Sequence, residues 1–253
     1  MRLRGKTVVV AGGAGGMGAA IAQTLHEEGA VVTLVDRDSE RLDAVRADLG
    51  AETTAAYPCD LTSEQEVRDL VAHVGPVDGL VNAQGIAPFN ALADTTLDEW
   101  RAVIDANLTS VFLACREFGR AMATATGGAI VNFSSTAGSF GVPQMAAYTA
   151  AKHGVIGFTR AIALELGRHG VRANCVCPGA TLTPMLLATP EEYRSARIRR
   201  VPLGRLAEPK DQARVTAFLL SDDAAYVTGA CIPVDGGISA LAPGTAERDI
   251  RGE

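Results

Sequence analysis

The chain is 253 residues long, 47% hydrophobic and 21% charged, with a formal net charge of −6. That length suits one α/β domain over 1–253 and leaves little room for a second catalytic domain. An acidic balance without a basic block argues against a nucleic-acid partner. No apolar run approaches the ~20 residues of a membrane span, so no membrane partner is expected.

The opening stretch MRLRGKTVVV enters a strand pattern directly. It carries no separate apolar segment and cleavage site, so a cytoplasmic location is expected. Strand-like runs near 7–11, 31–35, 53–58, 77–82, 129–133, 171–177 and 230–234 alternate with helical patterns. The helical patterns lie near 18–28, 39–48, 64–73, 98–123, 147–167 and 209–220. Short β-rich runs separated by helices predict a parallel sheet covered on both faces. Between Pro178 and Pro209 the rhythm breaks, and Glu191 to Arg200 reads as a short helix. This excursion is either a substrate lid near 184–204 or a surface insertion. The charged tail from Leu241 to Glu253 is either disordered or docked on a partner subunit. Cys59, Cys115, Cys175, Cys177 and Cys231 lie in or beside apolar runs and read as small buried hydrophobes. Neither they nor His26, His73, His153 and His169 show metal-ligand spacing, so no metal is expected.

The first strand, loop and helix carry Gly12, Gly16 and Gly18 in GxxxGxG spacing. Glycine permits a tight turn and close approach of backbone to pyrophosphate, whose charge then meets a helix N-terminus. Asp36 closes the second strand 24 residues after Gly12, near the distance expected of a ribose-binding acid. Its carboxylate suits the ribose hydroxyls of NAD and repels the 2′-phosphate of NADP. Arg37 pulls the other way if its guanidinium grips that phosphate; stacking on adenine or facing solvent are its alternatives. NAD is the expected cofactor and NADP the alternative. Asp60 is a candidate acceptor for the adenine amino group or, alternatively, a helix N-cap.

Tyr148 and Lys152 stand four residues apart in AAYTAAKHGVIGF, on one face of a predicted helix. An ammonium beside a phenol favours the phenolate, giving an acid/base suited to an alcohol oxygen. Moving a tyrosine from ~10 to ~7 takes roughly 4 kcal/mol of differential stabilisation. His153 points about 100° away from Lys152 and reads as a packing or surface residue.

Together these segments resemble the short-chain dehydrogenase/reductase family over nearly the whole chain. The family's TGxxxGxG is AGGAGGMG here, with Ala11 for threonine, and its NNAG is NAQG from Asn82 to Gly85. Its helix asparagine corresponds to Asn107 and its serine to Ser135, thirteen residues before Tyr148. Its YxxxK is Tyr148 to Lys152, and its PG turn is Pro178 and Gly179, followed by Thr183. YVTGACIPVDGG, from Tyr226 to Gly237, matches its C-terminal signature.

The resemblance implies a Rossmann-type doubly wound sheet of seven strands, and a homotetramer. It makes Tyr148 the acid/base, with Lys152 lowering its pKa and holding the nicotinamide ribose. Ser135 then binds the substrate oxygen, and Asn107 holds a water connecting Lys152 to solvent. Met17, Leu61, Asn82, Gly85, Thr181 and Thr183 complete the implied cofactor set. Ala11 and Ala83 remove groups that tie loop and strands in the family. The expectation is reduced rigidity or compensation, with Gln84 a candidate, and intact chemistry.

The expected substrate space combines Ser135 and Tyr148 with Ala87, Phe89, Thr136, Ala137, Phe140 and Met145. Thr181, Met185, Leu186, Leu187 and Tyr193 close the other side. This set is mostly apolar and lacks a cationic clamp, so an uncharged cyclic or medium-sized alcohol is expected. The runner-up is an NADPH-dependent 3-oxoacyl-thioester reductase, with Arg194, Arg197, Arg199 and Arg200 meeting a carrier protein. A solvated lid helix is the plainer account of those arginines. A dinucleotide sensor without catalysis is the remaining class.

Overall fold

The computed structural model describes residues 1–50 and 54–242. The tail beyond 242 and position 53 of the expected third strand lie outside them. Seven strands form the sheet: β1 Thr7–Ala11, β2 Val31–Asp36, β3 Thr54–Pro58, β4 Gly79–Asn82, β5 Gly128–Phe133, β6 Val171–Pro178 and β7 Cys231–Val234. Their order is β3-β2-β1-β4-β5-β6-β7, with every neighbouring pair parallel. The helices are α1 Gly16–Glu27, α2 Ser39–Leu49, α3 Glu64–Val74, α4 Leu97–Ile104, α5 Ser110–Thr124, α6 Ala146–Gly167, α7 Pro184–Leu187, α8 Glu191–Arg199 and α9 Pro209–Leu220. This is the parallel sheet covered on both faces that the alternating pattern predicts, in the doubly wound Rossmann arrangement that the resemblance implies.

Side-chain alternation on β1 explains the two layers. Val9 and Ala11 enter a core with Val67, Phe118 and Val155 of α3, α5 and α6. Val8 and Val10 enter the opposite core with Ile21, Leu42 and Ala213 of α1, α2 and α9. Each fully buried valine, leucine or phenylalanine contributes about 1.5–3 kcal/mol. Strand order reverses between β1 and β4, so the loops at their carboxyl ends diverge and leave a crevice.

The long helix expected over 98–123 is interrupted. Asp105–Thr109 forms a π turn, in which the Ser110 N–H bonds the Asp105 carbonyl. Asn107 supplies the cause. Its Nδ2 donates to the Val103 carbonyl at 2.9 Å and the Ile86 carbonyl at 2.8 Å. A side chain thus takes the carbonyl that the α-helical ladder would use. No glycine or proline marks the spot, so the helical pattern runs through it.

A buried polar chain fixes the sheet below the crevice. Asn82 Nδ2 donates to Asn132 Oδ1 at 2.8 Å, and Asn132 Nδ2 donates to Thr159 Oγ1 at 2.9 Å. Thr159 Oγ1 donates to the Val155 carbonyl at 2.7 Å, joining β4, β5 and α6. Gln84 Nε2 reaches Asn82 Oδ1 at 3.4 Å and Ser110 Oγ at 3.1 Å, compensating for Ala83. At Ala11, where the family's hydroxyl is missing, the loop is tied to β2 by backbone bonds: Gly12 and Gly13 N–H bond the Val35 carbonyl at 2.8 and 3.0 Å. Changing Asn132 to Ala strands buried partners on both sides. The expected loss is ~1–3 kcal/mol of unfolding free energy in urea titration. A loss within experimental error would show that the chain of bonds contributes nothing to stability.

Candidate active site

At the carboxyl end of β1 the backbone turns at Gly12, whose φ is +79°. A Cβ there would lie 2.6 Å from the Gln84 nitrogen, and one at Gly18 would lie 2.0 Å from the Gly12 carbonyl oxygen. Glycine therefore lets α1 start directly beneath the turn. The helix carries no side-chain cap and no acid in its first turn. Its first N–H groups and dipole are left for an anion. Gly15, Gly16, Met17 and Gly18 line the crevice above them.

Asp36 ends β2 beside this loop. One of its oxygens accepts from the Ala14 N–H at 3.3 Å and the other from the Asp38 N–H at 3.4 Å. Arg37 is exposed. Asp60 accepts from the Thr62 N–H at 2.9 Å and its hydroxyl at 2.7 Å. These bonds, with the Arg37 charge, hold its carboxyl below the usual range. The cap of α3 is Ser63, which removes the N-cap alternative for Asp60. Leu61 is buried. Gly12, Asp36, Arg37, Asp60, Leu61 and Asn82 do not themselves line the cavity; Asp60 is exposed and Asn82 is fully buried. The glycine cradle, the uncapped helix and the acid at the end of β2 fit a dinucleotide.

Ser135 follows β5, and Tyr148 and Lys152 come from the first turns of α6. Ser135 Oγ accepts from the Ala137 N–H at 3.1 Å and is hydrogen-bonded to the Tyr148 hydroxyl. Lys152 is 4% exposed, and its Nζ donates to the Phe133 carbonyl at 2.9 Å. Burial draws its ammonium down to about 8. Burial also pushes the Tyr148 phenol up, against a downward pull from Ser135. The Nζ stands 5.6 Å from the centre of the Tyr148 ring, over its face, and spends a hydrogen bond on Phe133.

Asn107 is fully buried, and its Oδ1 has no hydrogen-bond partner. A Cβ at Gly85 would lie 2.3 Å from that oxygen and 3.6 Å from Lys152 Nζ. Gly85 thus keeps open the space that both groups face. His153 is exposed and bonds the Thr149 carbonyl at 2.9 Å, as a surface residue would.

The cavity above these groups has a volume of about 380 Å³. Gly85, Phe89, Asn107, Ser135, Ala137, Met145, Tyr148 and Lys152 line one part of it. Pro178, Gly179, Thr181, Thr183, Met185 and Tyr193 line the rest. Thr183 precedes α7 without spending its side chain on a cap bond. A Cβ at Gly16 would lie 2.5 Å from Pro184 Cδ, so the start of the lid rests on the glycine loop. Phe140 is a correction: it is 50% exposed and stands outside the wall. Sequence reasoning missed Arg41, Val142 and Thr189 as lining residues. Arg197, expected on a solvated or partner-facing lid helix, lines the cavity. The expected absence of a cation is therefore overturned, and with it the ground for an uncharged substrate.

A dinucleotide cradle facing a serine, tyrosine and lysine across one cavity defines the class. This is an NAD(P)-dependent oxidoreductase acting on alcohol/ketone pairs. A family model described as enoyl-(acyl carrier protein) reductase matches residues 12–239. The 2,5-dichloro-2,5-cyclohexadiene-1,4-diol dehydrogenase of Sphingobium indicum is 39% identical over 251 residues, covering 94% of this chain and 99% of that relative. The cis-4-hydroxycyclohexanecarboxylate dehydrogenase of Sinomonas cyclohexanicum is 40% identical over 242 residues, covering 93% of this chain and 97% of its own. The crystal structure of levodione reductase superimposes with a TM-score of 0.90 at 35% identity, covering 95% of this chain and all of that one. The chain belongs to the short-chain dehydrogenase/reductase family.

Proposed function

We propose that the protein is an NAD-dependent dehydrogenase that interconverts a secondary alcohol and its ketone on a substrate with a cyclic or medium-sized apolar body. The observation that carries this reading is the convergence of Ser135, Tyr148 and Lys152 on one mostly apolar cavity beside the glycine cradle. When bound, the nicotinamide cofactor supplies the hydride acceptor. Tyr148 takes the proton from the substrate hydroxyl, and Ser135 donates to the oxygen as its charge develops. Lys152 holds the cofactor ribose and, while protonated, favours the phenolate through its charge. Asn107 holds, through its unpartnered Oδ1, the water that connects Lys152 to solvent. Thr183 and the Pro178–Gly179 turn position the nicotinamide end.

The test is a panel of secondary alcohols with NAD, varied in ring content and length. Ring alcohols are expected to exceed small 2-hydroxy acids in kcat/KM, since each buried methylene adds about 0.8 kcal/mol. Highest efficiency with the small acids would overturn the substrate class. Asp36 supports NAD over NADP by at least ~10-fold, about 1.4 kcal/mol. Changing Asp36 to Ala is expected to narrow that gap, because Arg37 and Arg41 remain nearby. Equal use of both cofactors by the unmodified protein would show that the arginines win.

The second reading, a 3-oxoacyl-thioester reductase, is favoured by the family-model description and by a 37% identical 3-oxoacyl-[acyl-carrier-protein] reductase of Thermotoga maritima. NADPH turnover of an acyl-thioester in preference to free alcohols would establish it. The resemblance implies a homotetramer, and exposed Phe112 and Leu164 on α5 and α6 support assembly. Light scattering of the purified protein tests the tetramer.

A further inference from the structure

The lid carries four arginines, and they part company. Arg194 donates to the Leu187 carbonyl at 3.1 Å and to the Thr189 carbonyl, tying the lid to itself. Arg199 and Arg200 are exposed. Arg197 turns inward and lines the cavity that holds Ser135 and Tyr148. Its Nη2 donates to the Tyr193 hydroxyl, and its Cζ lies 4.5 Å from the centre of the Tyr193 ring. Phe89 meets that ring edge-on at 6.1 Å, so two aromatics buttress the guanidinium. Its Nε is buried without a hydrogen-bond partner, and Arg197 forms no ion pair among the described residues.

This arrangement is costly without a ligand. A guanidinium does not lose its proton in a protein, and a partly buried cation needs an anion or a full set of acceptors. Among the described residues the cavity lining contains no carboxylate. A planar fork of donors fits a carboxylate best. The fork and the Tyr148 hydroxyl belong to different elements, α8 and α6, and open on one cavity whose lining is mostly apolar.

We propose that Arg197 binds a carboxylate of the substrate, carried on the apolar body away from the reacting carbinol carbon. This rests on the dehydrogenase reading above and narrows it to carboxylate-bearing ring or chain alcohols. The carboxylate accepts from the guanidinium while the distant hydroxyl meets Tyr148.

The test compares 4-hydroxycyclohexanecarboxylate with 4-methylcyclohexanol as substrates for the full chain with NAD. The wild-type protein is expected to favour the carboxylate by at least ~10-fold in kcat/KM. In Arg197→Met that ratio falls to one or below, with the change concentrated in KM for the carboxylate. Arg197→Lys gives an intermediate ratio, since it keeps the charge and loses the fork. Both substrates report on the same folded sites, so the ratio is insensitive to partial misfolding. Calorimetry of the wild-type protein with NADH gives a readout without turnover. Cyclohexanecarboxylate is expected to bind at least ~10-fold more tightly than cyclohexanecarboxamide. A wild-type ratio of one or below, a ratio unchanged in Arg197→Met, or equal binding of the two ligands overturns the proposal. Absence of turnover on both alcohols with either cofactor overturns the dehydrogenase reading instead, and calorimetry still decides the carboxylate site.

Discussion

Replacing Tyr148 with Phe is expected to lower turnover by at least ~100-fold while cofactor affinity stays close to wild type. The substitution removes one oxygen and keeps the ring that packs over Lys152. A positioned acid/base contributes roughly 10²–10⁴ in rate, and no other titratable hydroxyl shares the position beside Ser135. Cofactor fluorescence measures the first quantity, and absorbance of the reduced nicotinamide the second. Burial holds the phenol above its usual pKa in the protein's own field. Alcohol oxidation is therefore expected to rise with pH as the proton-accepting form becomes populated. Near-normal turnover in the variant would remove Tyr148 from the chemistry.

Replacing Lys152 with Met is expected to abolish turnover and stabilise the fold. Lysine titrates near 10.5 in the unfolded chain and at about 8 in this site. Between those values the unfolded state binds more protons, so wild-type stability rises with pH across that window. Below pH 8 the folded protein bears the whole penalty, roughly 3 kcal/mol at ~1.36 per unit. Leaving the buried Phe133 carbonyl without its donor returns ~1–3 kcal/mol of that. The net gain at pH 7 is then at most about 2 kcal/mol, and the rise between pH 8 and 10.5 disappears. Urea unfolding at pH 7 and pH 10 measures both effects. A variant destabilised at pH 7 would show that the ammonium is well compensated in the native site. The expected pairing of lower activity with higher stability is the signature of a site held against the preferences of its fold.

The strands, the glycine loop and the spacing of Tyr148 and Lys152 were legible because each depends on local chemistry. Alternating apolar residues, residues without a Cβ and a repeat of four along a helix all leave a trace in linear order. The π turn left none, since Asn107 acts on a carbonyl of its own helix and on Ile86, a contact supplied by tertiary packing. Gln84 was legible as a candidate for the missing amide, but its bond to Ser110 requires α5 to arrive beside β4. Arg197 was misjudged for a related reason. A run of arginines on a short lid helix reads as a solvated face, and only Tyr193 and Phe89 show which one turns inward. The burial that raises the Tyr148 phenol in the protein's own field left no trace in the sequence, which shows the lysine and the serine but not how deeply the ring is enclosed.

The π turn also bears on how this scaffold tolerates change. A π turn adds one residue to a helix while the segments on either side keep their faces toward the core. Val103 before it and Phe118 after it are both buried, so the extra residue is absorbed locally. A one-residue deletion within 105–109 would leave an ordinary helix with both buried faces still in phase, whereas the same deletion in α6 would swing every later side chain by about 100°. The helix can therefore lose Asn107 and keep its packing. Foldability and activity part here, as they do at Lys152: the scaffold can keep its shape while losing a group that its chemistry uses.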